Sequence, residues 1–455
     1  MGGELAGKNR VWWLLGALSG VMGLIVLDET VVGTALPTIR SDLSMTTVGS
    51  HWVVNAYLLT FTCFVAAAGR LSDRLGHKQV FLIGASLFAL ASLGAGLTPG
   101  GTGLIIARGL QGIGAALLFP TSIAMVTASF PLEKRGKAFG IQTTVGAVFM
   151  SSGPLVGGLF SQVISWRAVF LINVPIVAGI VLLVIALWQD PPVKDEKEAT
   201  DPPFDVKGFI TLLFGLVALT IFLMQGTDWG WINPLSLMML VAGLGLLAGF
   251  YIYEFYNSQP LIELDLLTIR PFAGGVLSFF SFQFNKIVIF VFVAMFLQEK
   301  VGLSPINSGL LLMIGILPTL GTSLIAGKLA DKYGSRPPLL FGFTLNGLAV
   351  LAIAFLSYIE TYWVFLPLII WGATLPFCAI PARRTLMSAV PKTKLGQASG
   401  VNLTVQMVGG TIGIALCGSI IASTGAYWLA FLLTSVLILT TTLVINALIE
   451  VEDTA

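Results

Sequence analysis

Fourteen stretches of this chain are apolar and about as long as a bilayer is thick, and that pattern removes most architectures from consideration. They are 12–36, 51–68, 80–97, 102–126, 137–162, 167–188, 206–224, 235–253, 272–298, 306–326, 338–358, 362–380, 395–422 and 426–449. A spanning helix needs about 20 mostly apolar residues. Lipid cannot hydrate a bare backbone, so runs of this kind must be helices. Only 10% of the residues are charged, against roughly 25% in a soluble domain. With mean hydropathy at +0.92, no soluble fold could hide the apolar surface. The expected class is an all-α polytopic membrane protein. Residues 1–10 are polar and lead directly into the first run without a small-residue cleavage site, which reads as a first spanning helix rather than a removed signal.

The chain is duplicated. Gly69-Arg70-Leu71-Ser72-Asp73-Arg74-Leu75-Gly76-His77-Lys78 returns as Gly327-Lys328-Leu329-Ala330-Asp331-Lys332-Tyr333-Gly334-Ser335-Arg336. Both copies sit between apolar runs. Pro131 to Gly140 likewise aligns with Pro391 to Gly400, and Pro120 with Pro381, at an offset of about 260 residues. Helices one to six therefore correspond to nine to fourteen. Internal repeats in an apolar chain are the mark of a transporter. The expected organisation is a six-helix bundle (1–188), a cytoplasmic linker (189–205), two inserted helices with a surface segment (206–270) and a second six-helix bundle (271–455). The linker carries Pro191, Pro192, Pro202, Pro203 and a charge run, and a solvated segment of this kind has no fixed structure. Residues 254–270 alternate apolar and acidic side chains, and are expected to lie along the membrane surface.

Basic residues set the orientation. With the N-terminus in the cytoplasm, 19 of the 24 lysines and arginines fall on cytoplasmic segments, and only Arg40, Arg167 and Lys300 on the other side. Both termini are thus expected in the cytoplasm. The cysteines Cys63, Cys378 and Cys417 are far apart in apolar runs, a pattern that offers neither a disulfide framework nor a metal site. No metal-ligand spacing, nucleophile turn or phosphate loop appears, so no enzyme and no cofactor is expected.

Ionisable residues within a membrane are costly and usually functional. Asp28 and Glu29 lie in helix one, Arg108 in helix four and Lys286 in helix nine. These helices are expected to line a central cavity between the repeats. Asp28 sits about 13 Å along the helix from Pro37, at about 1.5 Å per residue. Desolvation there favours the protonated carboxyl, which makes Asp28 a candidate proton carrier; a permanent ion pair is the alternative. Glu29 points about 100° away around the helix. Lys286 must face water, an anionic substrate group or a carboxylate, with Asp28 and Glu29 the candidates. Arg108 and Gln111 share one face of helix four, beside small residues that allow close helix approach. Arg108 can bind a carboxylate, or only bridge buried carbonyls. Lys286, Asn285, Gln111 and Tyr57 are the candidate cavity residues. Gly153, Pro154, Gly157 and Gly158 punctuate helix five for packing or gating. In the duplicated motif, Gly69 and Gly76 permit a tight turn. Asp73 can cap a helix across the half interface, and Arg70 and Arg74 can pair with carboxylates there; with Asp331 they form a candidate cytoplasmic gate. His51 and His77 lie at helix ends and read as solvated.

These motifs resemble the major facilitator superfamily, and within it the fourteen-helix drug/proton antiporters. Residues 69–78 look like the family motif between helices two and three. Arg108 with Gln111 and Gly112 is similar to its helix-four motif, and Gly153, Pro154, Gly157 and Gly158 to its helix-five antiporter motif. Residues 27–37 and 260–267 resemble patterns of the fourteen-helix group. The resemblance implies a major-facilitator-like fold of two six-helix bundles plus two helices. It also implies alternating access driven by proton influx, with Asp28 taking the proton, Arg108 coupling its charge to conformation, and helix five limiting leak. His77, Glu29 and Lys286 depart from the family pattern. The expected function is a proton-coupled exporter of amphipathic small molecules in a bacterial inner membrane. It would work as a monomer among membrane lipids, with protons as coupling ion and no nucleic-acid partner. The alternatives are an exporter of anionic metabolites or lipids, which Lys286 favours, and a non-transporting receptor or scaffold.

Overall fold

The computed structural model describes residues 2–188, 205–257, 260–391 and 394–449. The linker lies outside them apart from Asp205 at its edge. Among the described residues there is no strand, and fourteen helical spans are long and apolar enough to cross a membrane. These are α1 (Arg10–Asp42), α2 (Thr47–Ser72), α3 (His77–Leu97), α4 (Gly101–Ser129), α5 (Glu133–Ile164), α6 (Ala168–Leu187), α7 (Val206–Trp229), α8 (Pro234–Tyr256), α9 (Arg270–Glu299), α10 (Pro305–Tyr333), α11 (Arg336–Tyr358), α12 (Tyr362–Ser388), α13 (Leu395–Thr424) and α14 (Tyr427–Leu448).

Local chemistry starts and stops the helices. The Thr46 hydroxyl accepts from Gly49 N at 3.0 Å and opens α2. Ser304 caps α10 in the same way, with Pro305 in its first turn. Such caps answer amide groups that the helix itself leaves unbonded. Gly76 and Gly334 end the helices that enter the two copies of the duplicated motif, and both have positive φ, +89° and +77°. The duplication is therefore one of conformation as well as of sequence. Gly69 is different. It lies inside the helix that runs on to Leu75 and takes no part in the turn.

The two halves pack alike. In the first, α1 lies on α5, and α4 on α2 and α3; in the second, α9 lies on α13, and α12 on α10 and α11. The halves meet where α2 crosses α13, α5 crosses α10 and α1 crosses α9. Glycines allow these approaches. A Cβ on Gly158 of α5 would lie 2.2 Å from Pro305 O, and one on Gly309 of α10 would lie 2.2 Å from Pro154 O. Of the inserted pair, α7 packs against both α2 and α13, and α8 packs on α7. There Phe209 meets Phe64, with ring centroids 5.2 Å apart, and Thr227 bonds to Ser419 at 2.8 Å.

The end carrying Arg70, Arg74 and Arg384 is called the basic end below. The opposite end is shut. There Arg40 of α1 reaches Glu299 of α9 at 3.2 Å, Gln298 Nε2 donates to Thr34 O at 2.9 Å, and Tyr427 donates to Glu299 at 2.8 Å. His51 belongs to this closure rather than to solvent: it is 1% exposed, edge-on to Phe292, and close against Gly418. At the basic end a cavity of about 590 Å³ opens between α2, α4 and α13.

The segment from Pro260 to Thr268 corrects another expectation. It buries Leu261, Ile262 and Leu266 against the protein instead of lying along a membrane surface. Pro260 to Glu263 form one wall of the cavity. Arg70 on α2 donates to the Pro260 carbonyl, and Lys394 bonds Glu263 at 2.8 Å. The segment is therefore a strap tied to both halves.

Candidate functional site: buried charges within and between the halves

Asp28 and Glu29 are neighbours in sequence with opposite destinations. The turn of about 100° per residue directs Asp28 into the interior of the first half and Glu29 to the seam. Asp28 is 1% exposed. It pairs with Arg108 of α4 and accepts from Gln111 Nε2 at 2.9 Å and Asn173 Nδ2 at 3.4 Å. Gln111 and Asn173 also reach the Ser92 hydroxyl, at 2.9 and 3.4 Å. Arg108 has further partners of its own. Its Nε donates to Val53 O at 2.9 Å, its Nη1 to Gln111 Oε1 at 2.7 Å, and its guanidinium lies 4.4 Å from the Tyr57 ring centre. Residues from α1, α2, α3, α4 and α6 thus close around one ion pair.

A neutral counterpart stands in the second half. Asn285 of α9 donates to Asn346 Oδ1 at 2.8 Å and accepts from Trp371 Nε1 at 3.2 Å. Asn346 in turn donates to Thr374 at 2.8 Å. The next residue, Lys286, faces the seam and bonds Glu29 Oε2 at 2.8 Å across it, 257 residues away in sequence. Gly33 of α1 sits on Phe290 of α9 at the same separation; a Cβ there would lie 2.8 Å from the Phe290 carbonyl oxygen. The pair therefore lies close to the pseudo-two-fold axis that relates the halves.

This placement corrects part of the expected cavity. Asp28, Arg108, Gln111 and Tyr57 are all at most 1% exposed and are enclosed within the first half. Asn285 is enclosed in the second. Buried polar groups need partners; Asp28, Arg108, Gln111 and Asn285 find them in their own bundle, while Tyr57 gives its ring to Arg108 and its hydroxyl has no hydrogen-bond partner. Among the four cavity candidates, only Lys286 bridges the halves. Its partner is Glu29, and Asp28 belongs to Arg108. Sequence reasoning missed Ser92, Asn173, Asn346, Trp371 and Thr374. Asn173, a lone amide between Ile172 and Val174, carried the one usable signal.

Helix five serves as a contact surface. A Cβ on Gly153 would come within 2.0 Å of Thr30 Oγ1, and one on Gly157 within 2.2 Å of Val31 O. Thr34 donates to the Pro154 carbonyl at 3.0 Å. Of the expected cross-half latch, the described side chains show other contacts. Arg70 holds a backbone carbonyl of the strap, and Arg74 is exposed at the cavity. Asp331 pairs at 3.0 Å with Arg384 of its own half. The Asp73 side chain lies outside the described residues. His77 bonds Ser72 at 2.7 Å.

The sequence profile described as Major Facilitator Superfamily matches residues 18–414 and, again, 275–453. The chain belongs to that superfamily. It is a multi-pass membrane transporter of small molecules rather than an enzyme. Similar proteins include the tetracenomycin C resistance and export protein of Streptomyces glaucescens, 31% identical, with 91% of this chain and 77% of that one covered. The puromycin resistance protein of Streptomyces alboniger is 32% identical over 92% of this chain and 82% of its own length. The multidrug resistance protein Stp of Mycobacterium tuberculosis is 30% identical, with coverage of 88% and 74%. Among solved structures, a D-xylose–proton symporter superimposes with a TM-score of 0.71 at 14% identity, covering 97% of this chain and 98% of that one.

Proposed function

We propose that this transporter exports amphipathic small molecules in exchange for protons, by rocking its two halves about the α1–α9 crossing. The names of its relatives, which speak of antibiotic resistance and export, support the substrate class. The observation that carries the coupling is the buried Asp28–Arg108 pair. Protonating Asp28 removes the charge that Arg108 answers, yet Arg108 keeps Val53, Gln111 and the Tyr57 ring. The cluster can thus exist in two charge states without losing its cation to lipid. The bias of basic residues supports a bacterial inner membrane with the basic end and both termini on its cytoplasmic side, and on that reading this form faces inward. The pairing of Lys286 with Glu29 weighs against export of anions, because the one central cation is already matched. Function as a monomer fits a seam formed within one chain.

The test is efflux from reconstituted vesicles under an imposed pH gradient, with cationic, neutral and anionic compounds. Asp28→Asn is expected to abolish gradient-driven efflux and to leave a folded protein. Undiminished efflux by this variant would remove Asp28 from the mechanism.

A further inference from the structure

Two further acids are buried well away from the seam, on the inserted helices. Asp205 is 7% exposed and Glu254 2% exposed. Asp205 precedes α7, and Glu254 lies in the last turn of α8. Both pack on Gly208, where a Cβ would lie 2.1 Å from Glu254 Oε1 and 2.5 Å from Asp205 Oδ2. Asp205 is well supplied with donors: Gly208 N at 2.9 Å, Tyr253 Oη at 3.1 Å and Asn257 Nδ2 at 2.8 Å. Glu254 Oε2 accepts from the strap amide Ile262 N at 3.2 Å. Its other oxygen, Oε1, is buried and has no donor, and it closes with Asp205 Oδ2 on the same point above Gly208.

A buried acceptor facing another acceptor is unstable unless a proton lies between them. Two buried carboxylates in contact do not both ionise. Among the described residues no cation pairs with either acid. The charged groups on the elements around them are engaged or turned away: Arg70 of α2 holds Pro260 O, Glu263 of the strap holds Lys394, and Lys207 and Arg270 are exposed. Asp205 holds three donors, so the shared proton is assigned to Glu254.

We propose that Asp205 and Glu254 form a second proton-binding site, which clasps the Pro260–Thr268 strap onto the inserted hairpin and so keeps the wall of the basic-end cavity seated. Loss of the proton sets two carboxylates against each other, and Glu254 then lets go of Ile262. The strap's ion pair with Lys394 keeps its cation in this range. The hydrogen bond it donates to Glu263 raises Lys394 above the ordinary lysine value, so that ammonium stays charged wherever carboxyls titrate. The site gives the two inserted helices a role separate from the central pathway. It rests on the transporter reading only in calling the strap a cavity wall.

The test needs no transport. Cys63, Cys378 and Cys417 are buried, so a spin label on Thr268→Cys, an exposed strap position, reports the strap alone. In lipid nanodiscs, label mobility is expected to rise severalfold between mildly acidic and mildly alkaline pH. In Glu254→Gln, whose amide can donate to Asp205 at every pH, it is expected to stay low throughout. Asp205→Asn keeps a capping oxygen for α7 and is expected to move the transition to lower pH or abolish it. Mobility that ignores pH in the native background, or a Glu254→Gln profile identical to the native one, overturns the proposal. Failure of proton-driven efflux with the strap transition intact would refute the proton-exchange reading and leave this site standing.

Discussion

Replacing Lys286 with methionine leaves Glu29 buried at the seam with no cation to answer it. The magnitude follows from the contacts: the Lys286 ammonium has one partner, the Glu29 carboxylate at 2.8 Å, and their side chains are 8% and 4% exposed. Breaking a buried pair on one side costs about 3–5 kcal/mol, whereas replacing both partners with apolar groups is often neutral. The pair joins α1 to α9 while the opposite end is shut, so the cost falls on this form of the protein. The form in which the halves part there is expected to gain roughly 10²–10⁴ in relative population, at about 1.4 kcal/mol per factor of ten. Spin labels on Ser41→Cys and Lys300→Cys, both exposed at that end, would read the change as a longer distance. Lys286→Met with Glu29→Met is expected to recover most of the native distance and thermal stability. A single Lys286→Met variant with native distances and stability would refute the reasoning, and so would a double variant no better than the single.

Gly157→Ala is expected to lose about 1–3 kcal/mol, since its Cβ would overlap the Val31 carbonyl and overpacking costs that much. Gly140→Ala, with open space at the Cβ position, is expected to be neutral or to gain up to about 1 kcal/mol of helix propensity; thermal unfolding of the two in detergent checks both. Asp331→Ala is expected to lose at most about 1 kcal/mol, because its carboxylate is 82% exposed and its partner Arg384 keeps the Ala330 carbonyl. A chemical-stability curve that shifts by more than this would give the pair a weight that exposure argues against.

The number of helices, the duplication and the choice of ionisable residues were legible because each is written in local composition. Asp28 and Glu29 were legible as costly residues. Their partners were not, since a turn of about 100° decides which neighbours each meets, and those neighbours are up to 257 positions away. The 260–268 strap was misread for a related reason. Leu261, Ile262 and Leu266 alternate with polar residues as a surface-seeking segment does, but here protein covers the apolar face, and α2 and α13 enter the chain far from it. Gly69 looked like half of a turn because it brackets a charged motif, yet only Gly76 takes positive φ. Asp205 and Glu254 carried no warning at all: each stands at the edge of an apolar run, where an acid is ordinary.

The near-axial position of Glu29 and Lys286 has a bearing on ancestry. In a protein assembled from two identical halves, the residue at this place would have met its own copy. Two charged glutamates or two charged lysines, face to face and dry, would repel; divergence to opposite signs makes the meeting favourable without a shared proton. One substitution after duplication would thus have turned a liability into a bond, and would have made the halves non-interchangeable from then on.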